Sequence, residues 1–434
     1  MKSQYFFKSM LAVAILGLAS CKPSLDVTVP TKGSADFTRY IAIGNSLTSG
    51  YADNGLSLEG QKNSFPEMIA GQMKTVGGGE FTSPYFNEAQ ANGSGYIKLT
   101  GFNPNGTPIL TPETANTAVR GQAAIPGFGN VTLYTKYSGE INNYGVPGIK
   151  LMHVNYAPYG NLNGYFERML PGNAGTNNTT YLDFVTQKPF TFFSLWLGNN
   201  DILGYATSGG AGDVPTPKGD FSALYNATVS KLTATGAKGV VATIPDVTKT
   251  AYFRTVTLNS LLAAVRSTPT GASVQALYIR TGANAVRPAT ADDLFTLTLS
   301  SANVIGVPTN GIPYGLHPAN PIESKWVLDK DEVAIVNDYV SAYNNTIKTV
   351  AASKGLALMD AFALLQEYGN GKAVNGAEVS GAFITGNLFS LDGIHLTPLG
   401  YAITANAFIK AINGKYGSTI PTVDVTKYRG VKFP

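Results

Sequence analysis

The run Tyr40-Ile41-Ala42-Ile43-Gly44-Asn45-Ser46-Leu47-Thr48-Ser49-Gly50 decides how the rest of the chain is read. Aromatic and β-branched side chains suit a buried strand, and this one stops at Gly-Asn-Ser, residues that favour turns. Such a strand delivers a hydroxyl to the carboxyl edge of a sheet, where open α/β sheets keep their ligand sites. Taken alone, Gly-Asn-Ser is also ordinary turn chemistry, and a solvated turn serine is the commoner reason for it. A second stretch far downstream shifts the balance: Ser390-Leu391-Asp392-Gly393-Ile394-His395-Leu396-Thr397-Pro398-Leu399-Gly400-Tyr401. A hydroxyl nucleophile needs a base, and the base needs an orienting group. Ser46, His395 and Asp392 supply the three residue types.

Working outward, Phe190-Thr191-Phe192-Phe193-Ser194-Leu195-Trp196-Leu197 is a continuous apolar run that suits a strand covered on both faces. It ends at Gly198-Asn199-Asn200-Asp201. Gly239-Val240-Val241-Ala242-Thr243-Ile244-Pro245-Asp246 reads as a further buried strand stopped by proline, and Leu356-Ala357-Leu358-Met359-Asp360 as another. Between them the spacing predicts helices over 220–236, near 257–266, and from about Asp329 to Ser353, the last with Val333, Val336, Val340, Tyr343 and Ile347 on one stripe. Thr397 caps a final helix with Pro398 in its first turn, carrying Ala402, Ile403, Ala407, Phe408 and Ile412; Ser64 reads as the cap of a helix containing Pro66. Asn143-Tyr144-Gly145-Val146-Pro147-Gly148 reads locally as a turn. Strands alternating with helices make an α/β fold, a three-layer α/β/α sandwich on a mainly parallel sheet. Two long loop insertions interrupt it, about 76–140 with small strands at most and about 250–324, and insertions of this length usually serve as binding loops or lids.

The chain has 434 residues, 44% hydrophobic and only 13% charged, with 48 Gly and 24 Pro, which describes one large, loop-rich globular domain. A net charge of +4 is too small and dispersed for a nucleic-acid partner, and no basic run carries interleaved aromatics. At the start, Lys2 and Lys8 precede an apolar run, Met10 to Leu18, too short to span a bilayer and ordered like a secretory signal. Leu18-Ala19-Ser20-Cys21 follows, with the only cysteine of the chain. This resembles a bacterial lipobox, which implies a lipid on Cys21 as the mature N-terminus. Residues 1–20 are then the signal peptide, 21–36 a flexible tether, and 37–434 the folded domain. The location implied is the bacterial cell envelope, lipid-anchored in the outer membrane on its periplasmic or surface side. The plainer alternative is a signal peptide whose apolar region happens to contain a cysteine.

Taken in order, Gly44-Asn45-Ser46-Leu47, Asn143-Tyr144-Gly145-Val146-Pro147-Gly148, Gly198-Asn199-Asn200-Asp201 and Asp392-Gly393-Ile394-His395 form a succession that resembles the SGNH (GDSL-type) hydrolases, named for Ser, Gly, Asn and His. The resemblance covers these blocks and the strand–helix order, while the two insertions match no motif. It implies a flavodoxin-like sheet, Ser46 as nucleophile, His395 as base and Asp392 as its orienting acid. It also implies an oxyanion hole made by the Ser46 N–H, the Gly148 N–H and the Asn200 amide. The family's first block usually has Asp where this chain has Asn45, which puts the local turn electrostatics in question. Asp201 reads equally as a structural acceptor for loop N–H groups. His153 and His317 lack a carboxylate at short fixed spacing, and Asp360, at a strand end, is the alternative acid. No metal or other cofactor is expected: there is no His-x-x-x-His pair and no cysteine cluster, and the Gly-x-Ser-x-Gly elbow and the phosphate-binding loop are absent. The activity implied is a monomeric serine esterase or acylhydrolase that cleaves carboxylic esters of lipids or short acyl groups through an acyl-enzyme. A carbohydrate O-acetyl esterase of the same fold and a non-catalytic lipid- or glycan-binding lipoprotein are the alternatives; 23 tyrosines permit sugar stacking without deciding it.

Overall fold

The computed structural model describes residues 29–104 and 106–434, and residues Thr31–Pro434 form one compact unit. The expected signal peptide, Cys21 and most of the tether lie outside the described residues. The centre is a five-stranded sheet of β1 (Tyr40–Gly44), β2 (Asn143–Gly145), β3 (Phe192–Trp196), β4 (Lys238–Ala242) and β5 (Ala357–Met359). All pairings are parallel and the order is β2-β1-β3-β4-β5. That is the flavodoxin-like order, and it reverses direction between β1 and β3, where doubly wound sheets open a crevice at their carboxyl ends.

Six helices matter to the site: α1 (Ser46–Ser49), α2 (Phe65–Met73), α3 (Asn200–Thr207), α4 (Lys218–Thr233), α5 (Lys330–Ser353) and α6 (Pro398–Tyr416). Successive side chains of a strand point to opposite faces, so β1 sends Tyr40 and Ala42 into a core shared with α2 and α6, and Ile41 and Ile43 into one shared with α4 and α5. Phe65 of α2 stacks on Phe408 of α6 at 4.7 Å on the first face, and Phe221 of α4 stacks on Tyr343 of α5 at 3.8 Å on the second. Each such ring, fully buried, stabilises the fold by roughly 1.5–3 kcal/mol, which is why helices cover both faces.

The helix boundaries follow from local chemistry. Asp329 accepts from the N–H groups of Asp331 (2.8 Å) and Glu332 (3.0 Å), and Glu332 accepts from the Asp329 N–H (2.8 Å), so α5 opens on a reciprocal cap. Val336, Val340, Tyr343 and Ile347 of its stripe are buried. Thr397 accepts from the Gly400 N–H at 3.1 Å and Pro398 leads the first turn of α6, as expected.

Several expectations are corrected. Asn143–Gly145 is a strand at the sheet edge instead of a turn; three residues are too few to show a period. The tether boundary at 36 falls too late, because the Ser34 N–H donates to the Tyr416 carbonyl (2.9 Å), the Thr31 N–H donates to the Thr419 hydroxyl (2.8 Å) and Ala35 is buried. Ser64 precedes α2, but its hydroxyl is buried and, among the described residues, makes neither a cap bond nor any other hydrogen bond. The first insertion holds two hairpins, Tyr96–Phe102 with Pro108–Glu113 and Val119–Ile125 with Gly129–Tyr134. The second has its own small core around Leu277, Ile279, Phe295 and Ile322, and it closes where Leu294–Phe295 pairs with Val327–Leu328, just past the expected end at 324. A further hairpin, Lys372–Val374 with Ala377–Val379, has strands too short for any pattern to announce them.

Candidate active site

The hydroxyl of Ser46 is positioned by the way β1 ends. Asn45 accepts from the Leu47 N–H at 3.0 Å and caps α1, a task that needs an oxygen and not a charge, so the missing Asp costs the turn no bond. Gly44 and Gly145 are register partners on β1 and β2. A Cβ at Gly44 would collide with the Thr48 hydroxyl, and one at Gly145 would collide with the Ser49 nitrogen. The two glycines therefore let α1 settle onto the strand ends, and a side chain at either would lift Ser46 away. Ser46 is the first residue of α1 and is 7% exposed.

From Ser46 a continuous chain of hydrogen bonds leads inward. Ser46 Oγ lies 2.8 Å from His395 Nε2, and His395 Nδ1 lies 2.9 Å from Asp392 Oδ2. Asp392 also accepts from the N–H groups of Ile394 (2.9 Å), His395 (2.8 Å) and Asn54 (2.9 Å). Burial pushes its carboxyl up, but the His395 ring and these donors outweigh that and hold it well below the usual carboxylate range. An ionised Asp392 fixes the imidazole with its proton on Nδ1, which turns the Nε2 lone pair toward Ser46. The Tyr51 ring covers the imidazole at 4.6 Å between centroids, and the Tyr51 carbonyl is itself held by the Tyr401 hydroxyl at 2.6 Å. Tyr51 meets Tyr165 edge-on at 6.4 Å, and Tyr165 stacks at 4.6 Å on Tyr134 from the first insertion.

Beyond Ser46 on the β2 side, Gly148 takes φ +83° and is exposed. A left-handed φ favours glycine, and no Cβ stands in the way of a ligand there. Among the described residues, no protein acceptor takes the N–H of Gly148 or of Ser46. The Gly148 loop is braced from three directions. Asn163 Nδ2 donates to the Pro147 carbonyl (2.8 Å), Asn200 Nδ2 donates to the Ile149 carbonyl (2.9 Å), and Asp201 accepts from the Leu151 N–H (2.7 Å). Asp201 also accepts from the Thr216 hydroxyl at 2.6 Å, and burial pushes its carboxyl up to about 6 despite both donors. Asp201 thus serves as a structural acceptor, and Asn200 keeps a second amide hydrogen for another partner.

The other candidates stand apart. His153 stacks on Tyr159 at 4.3 Å and accepts from the Lys150 N–H at 3.2 Å; burial pushes its imidazole down to about 4. His317 accepts from the Ala319 N–H at 3.1 Å within the second insertion. Asp360 caps the helix Ala361–Gly369 and accepts from the Thr243 hydroxyl at 2.9 Å. No group of three or more His, Cys, Asp or Glu among the described residues is placed to hold a metal ion. The sequence reading missed Tyr51, Asp53 and Asn54, although Tyr51-Ala52-Asp53-Asn54-Gly55 carries the Asp-Asn-Gly signal of a tight hairpin turn directly after α1.

The fold and the site together define a doubly wound α/β protein with a hydrogen-bonded Ser46–His395–Asp392 chain at the carboxyl edge of its sheet. No family model matches the chain, and no curated protein matches it. Among solved structures, it is similar to an α/β hydrolase enzyme from the metagenome of Lake Arreo, Spain, at 11% identity over 87% of this chain and 96% of that one, with a TM-score of 0.37. It is also similar to the lipase/acylhydrolase from Enterococcus faecalis, at 10% identity over 89% and 100% of the two chains with a TM-score of 0.34. A third likeness is to an acetyl-xylooligosaccharide esterase from Geobacillus stearmophilus, at 11% identity over 87% and 95% with a TM-score of 0.35. The strand order and the distances within the site, not these likenesses, define the class.

Proposed function

We propose that this chain is a serine esterase of the SGNH (GDSL) type that hydrolyses carboxylic esters through an acyl-enzyme. The observation that carries the reading is the unbroken path from the Ser46 hydroxyl through His395 to Asp392, at 2.8 and 2.9 Å. His395 takes the Ser46 proton as Oγ attacks the ester carbonyl carbon. Negative charge then develops on the carbonyl oxygen, and the Ser46 N–H, the Gly148 N–H and the free Asn200 amide hydrogen are the donors for it. Collapse of this intermediate expels the alcohol, which receives its proton from His395. Water, deprotonated by His395, attacks the acyl-enzyme and releases the acid. Asp392 stays anionic throughout and stabilises the imidazolium.

The substrate is a lipid or short-chain acyl ester. A carbohydrate O-acetyl ester is the second reading, favoured by the tyrosine wall of Tyr51, Tyr165 and Tyr134 beside His395. A p-nitrophenyl ester series of increasing acyl length, with Ser46→Ala as control, tests both. Turnover of acetate alone favours the glycan deacetylase, turnover of longer chains favours the lipid esterase, and rates equal in Ser46→Ala and the native protein overturn both. We place the protein in the bacterial cell envelope, held by lipid on Cys21. Cys21→Ser should then release it into the soluble fraction, and a variant that still sediments with membranes overturns the anchor.

A further inference from the structure

We infer that the turn Ala52-Asp53-Asn54-Gly55 is a positioning device, with Asp53 docking the loop that carries Asp392 and His395 against the segment that carries Ser46. The inference rests on the serine-esterase reading for its kinetic consequences, but the docking itself is geometric.

The turn is closed by two backbone bonds, Ala52 N–H to the Gly55 carbonyl (3.0 Å) and Gly55 N–H to the Ala52 carbonyl (2.9 Å). Its two central residues both take left-handed backbone, Asp53 at φ +54° and Asn54 at φ +60°. That is the two-residue hairpin geometry that Asp, Asn and Gly tolerate best. The conformation aims three groups at one target. The Asp53 N–H donates to the Ser390 hydroxyl, the Leu391 N–H donates to Asp53 Oδ1, and the Asn54 N–H donates to Asp392 Oδ2, each at 2.9 Å. Among the described residues, the only other hydrogen bonds between residues 45–56 and 388–401 are the one between the Ser46 hydroxyl and His395 Nε2 and the one that the Tyr401 hydroxyl donates to the Tyr51 carbonyl. The relay therefore spans a joint that Asp53 and Asn54 close.

The chemistry of Asp53 adds to the geometry. Its carboxyl faces Asp392, Glu59 and Arg429, with Tyr96 and Tyr401 also within its field. Burial, with the charges of Asp392 and Glu59, pushes it up against the pull of the Leu391 N–H and Arg429, and the balance stands at about 6. When it ionises, its bond from the Leu391 N–H becomes charge-assisted and a second negative charge stands near the imidazolium that forms in the reaction. Both effects favour turnover above pH 6.

The test separates backbone, acceptor and charge. Asp53→Gly keeps the left-handed turn and removes the acceptor; Asp53→Asn keeps turn and acceptor and cannot ionise. With a p-nitrophenyl ester that the native protein hydrolyses, Asp53→Gly should lower kcat about tenfold with KM within about twofold, as a small misplacement of a relay does. Asp53→Asn should restore most of kcat and lose one ionisation near pH 6 from the kcat–pH profile. An unchanged kcat in Asp53→Gly, or an Asp53→Asn profile superimposable on the native one, overturns the inference, and the second comparison decides alone should Asp53→Gly not fold. The low-field NMR resonance of the His395 Nδ1 proton, recorded in a Ser46→Ala background, needs no ester turnover. It should be sharp with the native turn and with Asp53→Asn, since both present an acceptor to the Leu391 N–H, and broadened in Asp53→Gly. Equal sharpness in all three overturns the docking even where the esterase reading fails.

Discussion

The two loops that meet at Ser46 are built on opposite plans. The acid loop, Ser390–His395, is saturated: both oxygens of Asp392 are filled by N–H donors, one of them brought from Asn54, and Ser390 and Leu391 are tied to Asp53. The loop after β2 is braced at Pro147, Ile149 and Leu151, yet the N–H of Gly148 between them has no protein acceptor among the described residues. On the proposed esterase reading, the charge of Asp392, which persists throughout, has its partners in place beforehand, whereas a charge that exists only in transit needs donors left open for it. Bracing by hydrogen bonds is common to both loops. What differs is whether the bonds are already made.

Breaking the contact where the saturated loop reaches Ser46, from either partner, has the largest effect. Ser46→Ala and His395→Ala should each cut kcat/KM for a p-nitrophenyl ester by more than about 10³-fold with the circular dichroism spectrum unchanged. On the open side, Asn200→Ala removes one donor and one brace, and the loss should be on the order of 10²–10³ in kcat. A rate within a few-fold of native would take Asn200 out of the donor set.

The same contrast extends to stability. A carboxyl raised above its unfolded value holds its proton more tightly in the folded chain, so Asp53 contributes stability below about pH 4 that is lost as pH rises through about 6. Asp53→Asn removes that loss. Urea unfolding should show the variant gaining on the native protein between pH 4 and 7 by on the order of 2 kcal/mol, and a pH-independent gap would contradict it. The smallest effect belongs to the helix that follows the acid loop. Thr397→Ala deletes the cap on the Gly400 N–H and should cost about 1 kcal/mol in the same assay.

Much of this is legible in the sequence. Ser46, Asp392 and His395 stand where a strand stops or at a fixed short spacing, and such patterns are local. The strands at Phe192–Trp196 and Lys238–Ala242 and the helix Lys330–Ser353 are long or apolar enough to declare their own period. β2 is not, because three residues carry no period and glycine and asparagine there speak for a turn. Residues 31–36 contain one buried alanine and hold on through backbone bonds, which leave no trace in a hydropathy pattern. Ala52-Asp53-Asn54-Gly55 does announce its own shape, but no local rule says that the turn will meet a loop 338 residues later. The tyrosine wall is hidden in the same way, since Tyr51, Tyr134 and Tyr165 come from three separate segments.

The bond from Ser34 to Tyr416 has a consequence of orientation. Ser34 also receives the Lys238 ammonium, and Lys238 opens β4, so this part of the chain lies at the amino edge of the sheet. Ser46 lies past the carboxyl end of β1, about a strand's length of roughly 17 Å away. A change at residues 31–35 therefore acts on the edge of the sheet opposite the cleft, and leaves the groups around Ser46 to the far ends of the same strands.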